Sequence, residues 1–235
     1  MQRGEKPQSK QKPKHGLIRL KPTAQANKPK PKPITTTTHP NTVMKRVILI
    51  TGTPCTGKTT TAKQLAQKIG AEYINLTEYA KTNGLTLGED KERKTTIINE
   101  EAMQQKLAQT INAAQTDIII DGHYAPAVTP QNLTTHVFVL RRNPKELKQQ
   151  MQKCGFTDQK LWENLGAEIL DTCLIEALQT QPGKVCELDV TGKTVDENVN
   201  EVMAVLEKRK LCYSGIVDWL GMLEREGTTD QYLKA

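Results

Sequence analysis

The stretch Arg46–Gly70, RVILITGTPCTGKTTTAKQLAQKIG, constrains this chain more than any other. Its opening run, RVILI (Arg46–Ile50), is short, β-branched and apolar, the pattern of a strand buried on both faces. After Lys58 the period changes. Leu65 and Ile69, with the small Ala62 and Ala66, recur at helical spacing until Gly70 stops the run. A buried strand that passes through a short glycine-bearing loop directly into a helix is half of a crossover unit, so further strands should lie parallel beside it. Four candidates follow: EYINL (Glu72–Leu76), DIIID (Asp117–Asp121), HVFVL (His136–Leu140) and VCELDV (Val185–Val190). A polar stretch, Thr77–Lys94, precedes a helix predicted over Thr96–Ala114. Further helices are predicted at about Pro144–Lys153, over Lys160–Leu178, and after a capping box, Thr194-x-x-Glu197, that opens an apolar face of Val199, Val202, Met203 and Leu206. The expected fold class is α/β, a five-stranded parallel sheet with helices on both faces, whose ligands bind beyond the strand C-termini.

The loop itself, GTPCTGKTT (Gly52–Thr60), has the spacing G-x-x-x-x-G-K-T, and it has the context that gives this motif meaning, a strand before and a helix after. Loop and helix N–H groups would cradle a β-phosphate. Gly52, Cys55 and Gly57 shape that cradle, Lys58 reaches the β- and γ-phosphates, the Thr59 hydroxyl ligates Mg²⁺ and Thr60 approaches the α-phosphate. The chain is therefore expected to be a P-loop NTPase. Cys55 stands where glycine is favoured, because a left-handed backbone is least strained without a Cβ. Asp121 ends a buried strand in IIIDGHYAP, the place from which such enzymes hold Mg²⁺ directly or through water. His123, two residues on, falls on the same side and is the candidate for orienting a water or the leaving phosphate.

Charge divides the chain. Residues 1–44 carry ten Lys/Arg against the single Glu5, a net +9 within an overall +7, so the remainder is mildly acidic at −2. The same segment holds seven of the twelve prolines and too little apolar sequence to offset the entropy of ordering, so it is expected to be a disordered arm able to make non-specific RNA contacts. Met44, immediately ahead of the first strand, is an alternative start. Five cysteines (Cys55, Cys154, Cys173, Cys186, Cys212) without a C-x-x-C pair argue against a zinc site or a disulfide framework and for reduced thiols in a cytoplasmic protein. No apolar run approaches the roughly 20 residues that span a bilayer, so no membrane partner is expected. A second TGK, in LDVTGKT (Leu188–Thr194), lacks the upstream glycine of a phosphate loop; Thr191–Lys193 are candidates for backbone contact beneath an adenine. The terminal run with Ile216, Val217, Trp219, Leu220 and Leu223 is amphipathic and expected to dock on the domain or on a partner.

Six ordered blocks, ITGTPCTGKTTTAKQLA, YINLTEYA, DKERKTTIINE, IIIDGHYA, VFVLRRNPKEL and WENLGAEILDTCLIEAL, resemble the adenylate kinase isoenzyme-6-type family, atypical adenylate kinases and ATPases of archaea and eukaryotes. The resemblance spans about residues 45–209 and leaves the arm outside. It implies a nucleoside-monophosphate-kinase-type core to about residue 210, an AMP-binding insertion near residues 75–95 with Lys81 and Arg93 as phosphate contacts, and a short lid at about 153–161. It also implies the reaction ATP + AMP to two ADP with Mg²⁺, a separate ATPase activity, and work in late maturation of the small ribosomal subunit and its rRNA, with ribosomal protein uS11 and the subunit precursor as partners. Two departures bear on activity: Cys55 in the loop, and Cys154 in the lid where relatives often carry arginine. A lid arginine clamps the moving phosphoryl group with planar, paired hydrogen bonds, and its loss lowers such rates by roughly 10³ or more. Arg141 and Arg142, directly after the fourth strand, are then the cations expected nearest the phosphates. An assembly ATPase with incidental kinase activity, a different small-molecule kinase, and a nucleotide-gated binding module are the competing readings. The two odd cysteines flank one expected nucleotide, and independent replacement is the simpler account of them.

Overall fold

The computed structural model describes residues 45–90 and 95–234; the expectations for the arm 1–44 and for Arg93 lie outside the described residues. Five strands form one parallel sheet: β1 (Val47–Gly52), β2 (Glu72–Asn75), β5 (Ile118–Asp121), β6 (His136–Arg141) and β7 (Val185–Asp189), in the order β2-β5-β1-β6-β7. Between β2 and β5 lie α2 (Leu76–Thr82), an antiparallel hairpin of β3 (Thr86–Asp90) and β4 (Thr95–Ile98), and α3 (Glu100–Ala113). Helix α1 (Lys58–Ile69) follows β1, and α4 (Ala125–Val128) follows β5. The chain then runs through α5 (Pro144–Lys153), α6 (Asp158–Ile169) and α7 (Thr172–Thr180) to β7, then α8 (Val195–Leu206), α9 (Trp219–Glu226) and α10 (Thr229–Tyr232).

Strand alternation builds two cores from one sheet. Val47 and Leu49 pack with Ile118, Ile120, Val137 and Val139 beneath α3, α4 and α7. Ile48 and Ile50 pack with Ile119, Phe138 and Leu140 beneath α1 and α8. Burial on both faces is why these strands read as continuous apolar runs. The central strand β1 pairs with β5 on one side, Ile50 opposite Asp121, and with β6 on the other, Gly52 opposite Leu140. The phosphate loop therefore leaves the sheet between the two strand ends that carry Asp121 and Arg141.

Two expectations about helices are corrected. The helix predicted from Thr96 begins only at Glu100. The β-branched Thr95–Ile98 pairs with Thr86–Asp90, and the Asn99 side chain caps α3 by accepting from the Ala102 N–H at 3.1 Å. The single helix predicted over Lys160–Leu178 is two, α6 and α7. They are parted at Asp171, whose backbone takes the left-handed φ of 59° while its carboxylate accepts from Arg141 Nη2 at 2.6 Å. The capping box forms as the sequence predicts, Glu197 N–H to Thr194 Oγ1 and Thr194 N–H to Glu197 Oε2. The terminal amphipathic run docks on its own domain. Trp219 and Leu223 are buried, and Leu223 joins Leu147, Met151, Leu161, Leu165 and Ile169 of α5 and α6 in a third core.

Candidate active site

The loop between Gly52 and Lys58 is positioned by close backbone approach. A Cβ on Gly52, whose φ is 134°, would lie 2.4 Å from the Leu140 carbonyl oxygen, so only glycine lets β1 pass β6 here. The Thr53 carbonyl gathers the loop, accepting from Thr56 N–H at 3.4 Å, Thr56 Oγ1 at 2.9 Å and Lys58 Nζ at 2.8 Å. Gly57, at φ 95°, ends the loop as the N-cap of α1, which has no acidic residue in its first turn. The positive end of the helix dipole is thus left for an anion. Cys55 takes a left-handed φ of 66°, a conformation that strains an L-residue by about 1–2 kcal/mol. Its side chain packs on the α5–α6 core, contacts that a glycine could not make.

Lys58 and Thr59 face the end of β5. Loss of hydration lowers the Lys58 pKa, and the Asp121 charge opposes that shift. Thr59 Oγ1 donates to Asp121 Oδ2 at 2.6 Å, and the same carboxylate oxygen accepts from Tyr73 Oη and from Asn75 Nδ2, each at 3.0 Å. Tyr73 and Asn75 alternate along β2, whose Asn75 lies opposite Asp121, so both reach it. The sequence reading passed over them, although their spacing carried the signal. Thr60 follows on the first turn of α1 with an exposed side chain.

His123 sits beyond Asp121, its backbone carbonyl accepting from Thr51 Oγ1 at 2.9 Å. Its pKa is pushed down to about 4, first by desolvation among its neighbours and then by the positive charges of Lys58 and Lys160, with Asp121 opposing. The residue as a whole is exposed to solvent. The imidazole is neutral at neutral pH and can accept a proton. Lys160, in the expected lid, is thereby a cation at the site that the sequence reading missed.

Arg141 and Arg142 part company. Arg141 is 1% exposed, its guanidinium donating to Glu168 Oε1 (2.9 Å), Glu187 Oε1 (2.6 Å), the Glu168 carbonyl (2.8 Å) and Asp171 Oδ1 (2.6 Å). The expectation that it meets phosphate is corrected: three carboxylates hold it inside the protein. Arg142, about 11% exposed, pairs with Glu146 and brings Nη2 to 3.5 Å from the Thr56 carbonyl at the loop. A further residue missed from sequence is the buried Glu168, which accepts from Thr53 Oγ1 at 2.6 Å, from Arg142 N–H at 3.0 Å and from Trp219 Nε1 at 3.1 Å. It ties loop, strand end and C-terminal segment together. Its only sequence signal is an acid set among Leu165, Ile169 and Leu170.

The remaining candidates lie apart from this cluster. Cys154 ends α5 and is exposed, and Lys81 is exposed on the last turn of α2. Thr191 of the second TGK donates Oγ1 to Asp189 and accepts from Asn143 N–H, so it stitches β7 to the start of α5. Among the described residues no group of three or more His, Cys, Asp or Glu could hold a metal, and no helix is long and apolar enough to cross a membrane.

Comparison with known proteins agrees with this geometry. Residues 48–171 match the model of a family described as AAA domain. The chain is 36% identical over 172 residues to a protein of Methanocaldococcus jannaschii named "Putative adenylate kinase", covering 73% of this chain and 92% of that one. It is 37% identical over 173 residues to a Thermococcus kodakarensis protein of the same name, covering 74% and 92%. In fold it is similar to shikimate kinase from Acinetobacter baumannii, with a TM-score of 0.50 at 13% identity over 71% of this chain and 95% of that one. The strand–loop–helix motif, the parallel sheet and these relatives agree: the chain belongs to the AAA-domain family of phosphate-loop proteins, alongside the archaeal proteins named adenylate kinases, and is of the kinase type.

Proposed function

We propose that the chain is a Mg²⁺-dependent nucleoside-monophosphate kinase that converts ATP and AMP to two ADP, and that it also hydrolyses ATP. The observation that carries this reading is the convergence of Lys58, Thr59 and Asp121 at one point beyond the sheet, with Thr59 Oγ1 2.6 Å from Asp121 Oδ2. A hydroxyl and a carboxylate are hard oxygen donors, and so few protein ligands suit an ion that keeps several waters and is otherwise held by phosphates. The residues therefore fit Mg²⁺ with Thr59 and Asp121 as its holders. Bound there, the ion would neutralise charge on the phosphates of the nucleotide.

The chain's own groups account for the rest. Backbone N–H groups of the loop and of the α1 N-terminus hold the β-phosphate oxygens. Lys58, released from the Thr53 carbonyl, and Arg142 at the loop neutralise charge on the transferred group. Tyr73 and Asn75 fix the Asp121 carboxylate. Neutral His123 accepts a hydrogen bond from the attacking water in hydrolysis. When AMP is the acceptor it brings its own nucleophilic oxygen, placed by the insertion at about 75–95 through Lys81 and Arg93. The names of the archaeal relatives support the kinase part of this reading.

The resemblance to the isoenzyme-6-type family supports a finer reading: work in late maturation of the small ribosomal subunit, with ribosomal protein uS11 and the subunit precursor as partners and the basic arm 1–44 touching RNA. A second reading, an assembly ATPase with incidental kinase activity, is favoured by the lid, where Cys154 stands and residues 153–161 contain no arginine. The test is turnover of the full chain with ATP–Mg²⁺ and each nucleoside monophosphate in turn. AMP consumed with two ADP formed supports the kinase. Phosphate release indifferent to AMP, with no AMP consumed, supports the ATPase. No preference among the monophosphates would move the assignment to another small-molecule kinase, and nucleotide binding without turnover would move it to a binding module.

A further inference from the structure

The C-terminal segment reaches the phosphate loop through one buried carboxylate. Glu168 on α6 is 1% exposed, and its two oxygens face different partners. Oε1 accepts from Arg141 Nε at 2.9 Å, from the Arg142 N–H at 3.0 Å and from Trp219 Nε1 at 3.1 Å. Oε2 accepts from Thr53 Oγ1 at 2.6 Å. Thr53 is buried too, and its carbonyl accepts from Thr56 Oγ1 at 2.9 Å and from Lys58 Nζ at 2.8 Å. A continuous route of hydrogen bonds therefore runs from the indole of Trp219 to the ammonium of Lys58. Trp219 lies beyond residues 48–171, the span that the family model matches, so its donor comes from outside that span.

We propose that Trp219 and Glu168 are positioning residues for phosphoryl transfer. The indole N–H fixes the carboxylate, the carboxylate fixes Thr53, and Thr53 sets where the loop holds Lys58. A carboxylate is planar, so a change at one oxygen turns the other with it. A buried carboxylate keeps one orientation only while its lone pairs are occupied. Without the indole donor, Oε1 is held from the Arg141–Arg142 side alone, and Oε2 swings away from the Thr53 hydroxyl. The loop then samples geometries in which Lys58 misses the transferred group. A misplacement of about 1 Å near the chemistry can cost on the order of 10²-fold in rate.

The segment has other anchors, so this bond is separable from docking. The Ile216 N–H donates to Glu187 Oε2 at 2.7 Å, Leu223 is buried in the third core, and Lys145 Nζ pairs with Glu226 at 2.6 Å. Trp219→Phe keeps an aromatic ring in place and removes the N–H, leaving those anchors intact. The kinetic consequence rests on the loop being the ATP site; the consequence for loop order does not.

The experiment compares the full chain with W219F, T53V and the double variant. It reads amide hydrogen exchange at Thr53, Cys55, Thr56, Gly57 and Lys58, and steady-state kinetics with ATP–Mg²⁺. In W219F those amides should exchange about tenfold faster and kcat should fall about tenfold, with a smaller rise in the KM for ATP, because Lys58 acts on the group that moves. T53V should do the same, and W219F should add almost nothing in the T53V background, since both act through Glu168. Val202→Ala, in the core beneath α8, is the stability control: it should melt lower with the parent's loop exchange and kcat. W219F that melts lower but keeps parental exchange and kcat overturns the proposal, because Trp219 then only packs. Fully additive losses in the double variant overturn the route through Glu168. If W219F does not fold, T53V decides, and parental loop exchange in T53V overturns the proposal. If the parent chain shows no turnover, loop exchange alone decides, so failure of the kinase reading and failure of this one remain distinguishable.

Discussion

Replacing Arg141 with methionine tests which of two adjacent arginines supports the fold and which serves the nucleotide. Methionine fills most of the volume and removes the charge. Four hydrogen bonds from the guanidinium disappear, and Glu168 and Glu187, both almost wholly buried, are left facing each other across the gap. Removing one partner of a buried ion pair destabilises by about 3–5 kcal/mol, because the remaining charge has neither water nor counter-ion. With a urea slope of about 2 kcal/mol per M, the unfolding midpoint should drop by roughly 1.5–2.5 M. The deficit has a pH signature. Burial already raises the Glu187 pKa against the pull of Arg141, and without Arg141 only the backbone hydrogen bonds from Ile216 and Gly215 oppose that rise. A carboxylate whose folded pKa exceeds its unfolded value binds protons preferentially in the folded state, so the variant's deficit should shrink as pH falls from 7 toward 5. Arg142→Met is the control. Its partner Glu146 is partly exposed, so its stability loss should stay within about 1 kcal/mol while turnover suffers more. Urea melts at two pH values and turnover at saturating ATP decide between them. An unchanged midpoint for Arg141→Met together with a large loss of turnover would refute the buried-network account and return Arg141 to the phosphates.

Lys58→Ala should abolish both kinase and ATPase activity in a protein that still melts cooperatively; near-normal turnover in the folded variant would dismiss the loop assignment. His123→Ala should reduce ATP hydrolysis more than AMP phosphorylation, since only hydrolysis needs a water oriented, and equal losses would point to a shared electrostatic role. With His123 neutral down to about pH 4, hydrolysis should show no acid limb near 6.5, which a pH series of kcat checks. His136 at the start of β6 has its pKa pushed down to about 4 by burial and by Arg46, with Asp117 opposing. The unfolded chain therefore takes up the proton first, and stability should fall between about pH 6.5 and 4 by up to about 3 kcal/mol; His136→Gln should flatten that part of the curve. Compared with a chain starting at Met44, the full chain should bind rRNA more tightly and with a steeper salt dependence at equal nucleotide turnover, and identical titrations would remove the RNA role of the arm.

The parallel sheet was legible because its three central strands carry uninterrupted apolar runs, and Asp121 because it ends one of them two residues before His123. Gly52, Lys58 and Thr59 were legible because their spacing is local and sits between a strand and a helix. Arg141 and Arg142 were treated alike, although consecutive residues at a strand end point to opposite sides, so one had to turn inward. The break at Asp171 could not be read from a helical period that continues across it, because its cause is a carboxylate drawn to an arginine thirty positions earlier. Glu168 belongs to the same class. A charged residue inside a helix becomes a hub only through partners at Thr53, Arg142 and Trp219, which no local pattern joins. The hairpin strand Thr95–Ile98 was open to detection, because four β-branched residues in a row disfavour the helix assigned to them.

The hydrogen bonds from Trp219 to Glu168 and from the Ile216 N–H to Glu187 also set an order of assembly during translation. A ribosome delivers the phosphate loop, then Arg141 and its acids, and only afterwards the residues that complete them. Until Ile216–Trp219 have emerged, two enclosed carboxylates each lack a donor, and the neighbouring loop hangs on an unfinished support. A nascent or prematurely terminated chain would thus carry the whole nucleotide motif without the means to hold it rigid. Protease digestion of stalled chains should cut near Thr53 and Glu168 until the stall point passes the segment that closes over them.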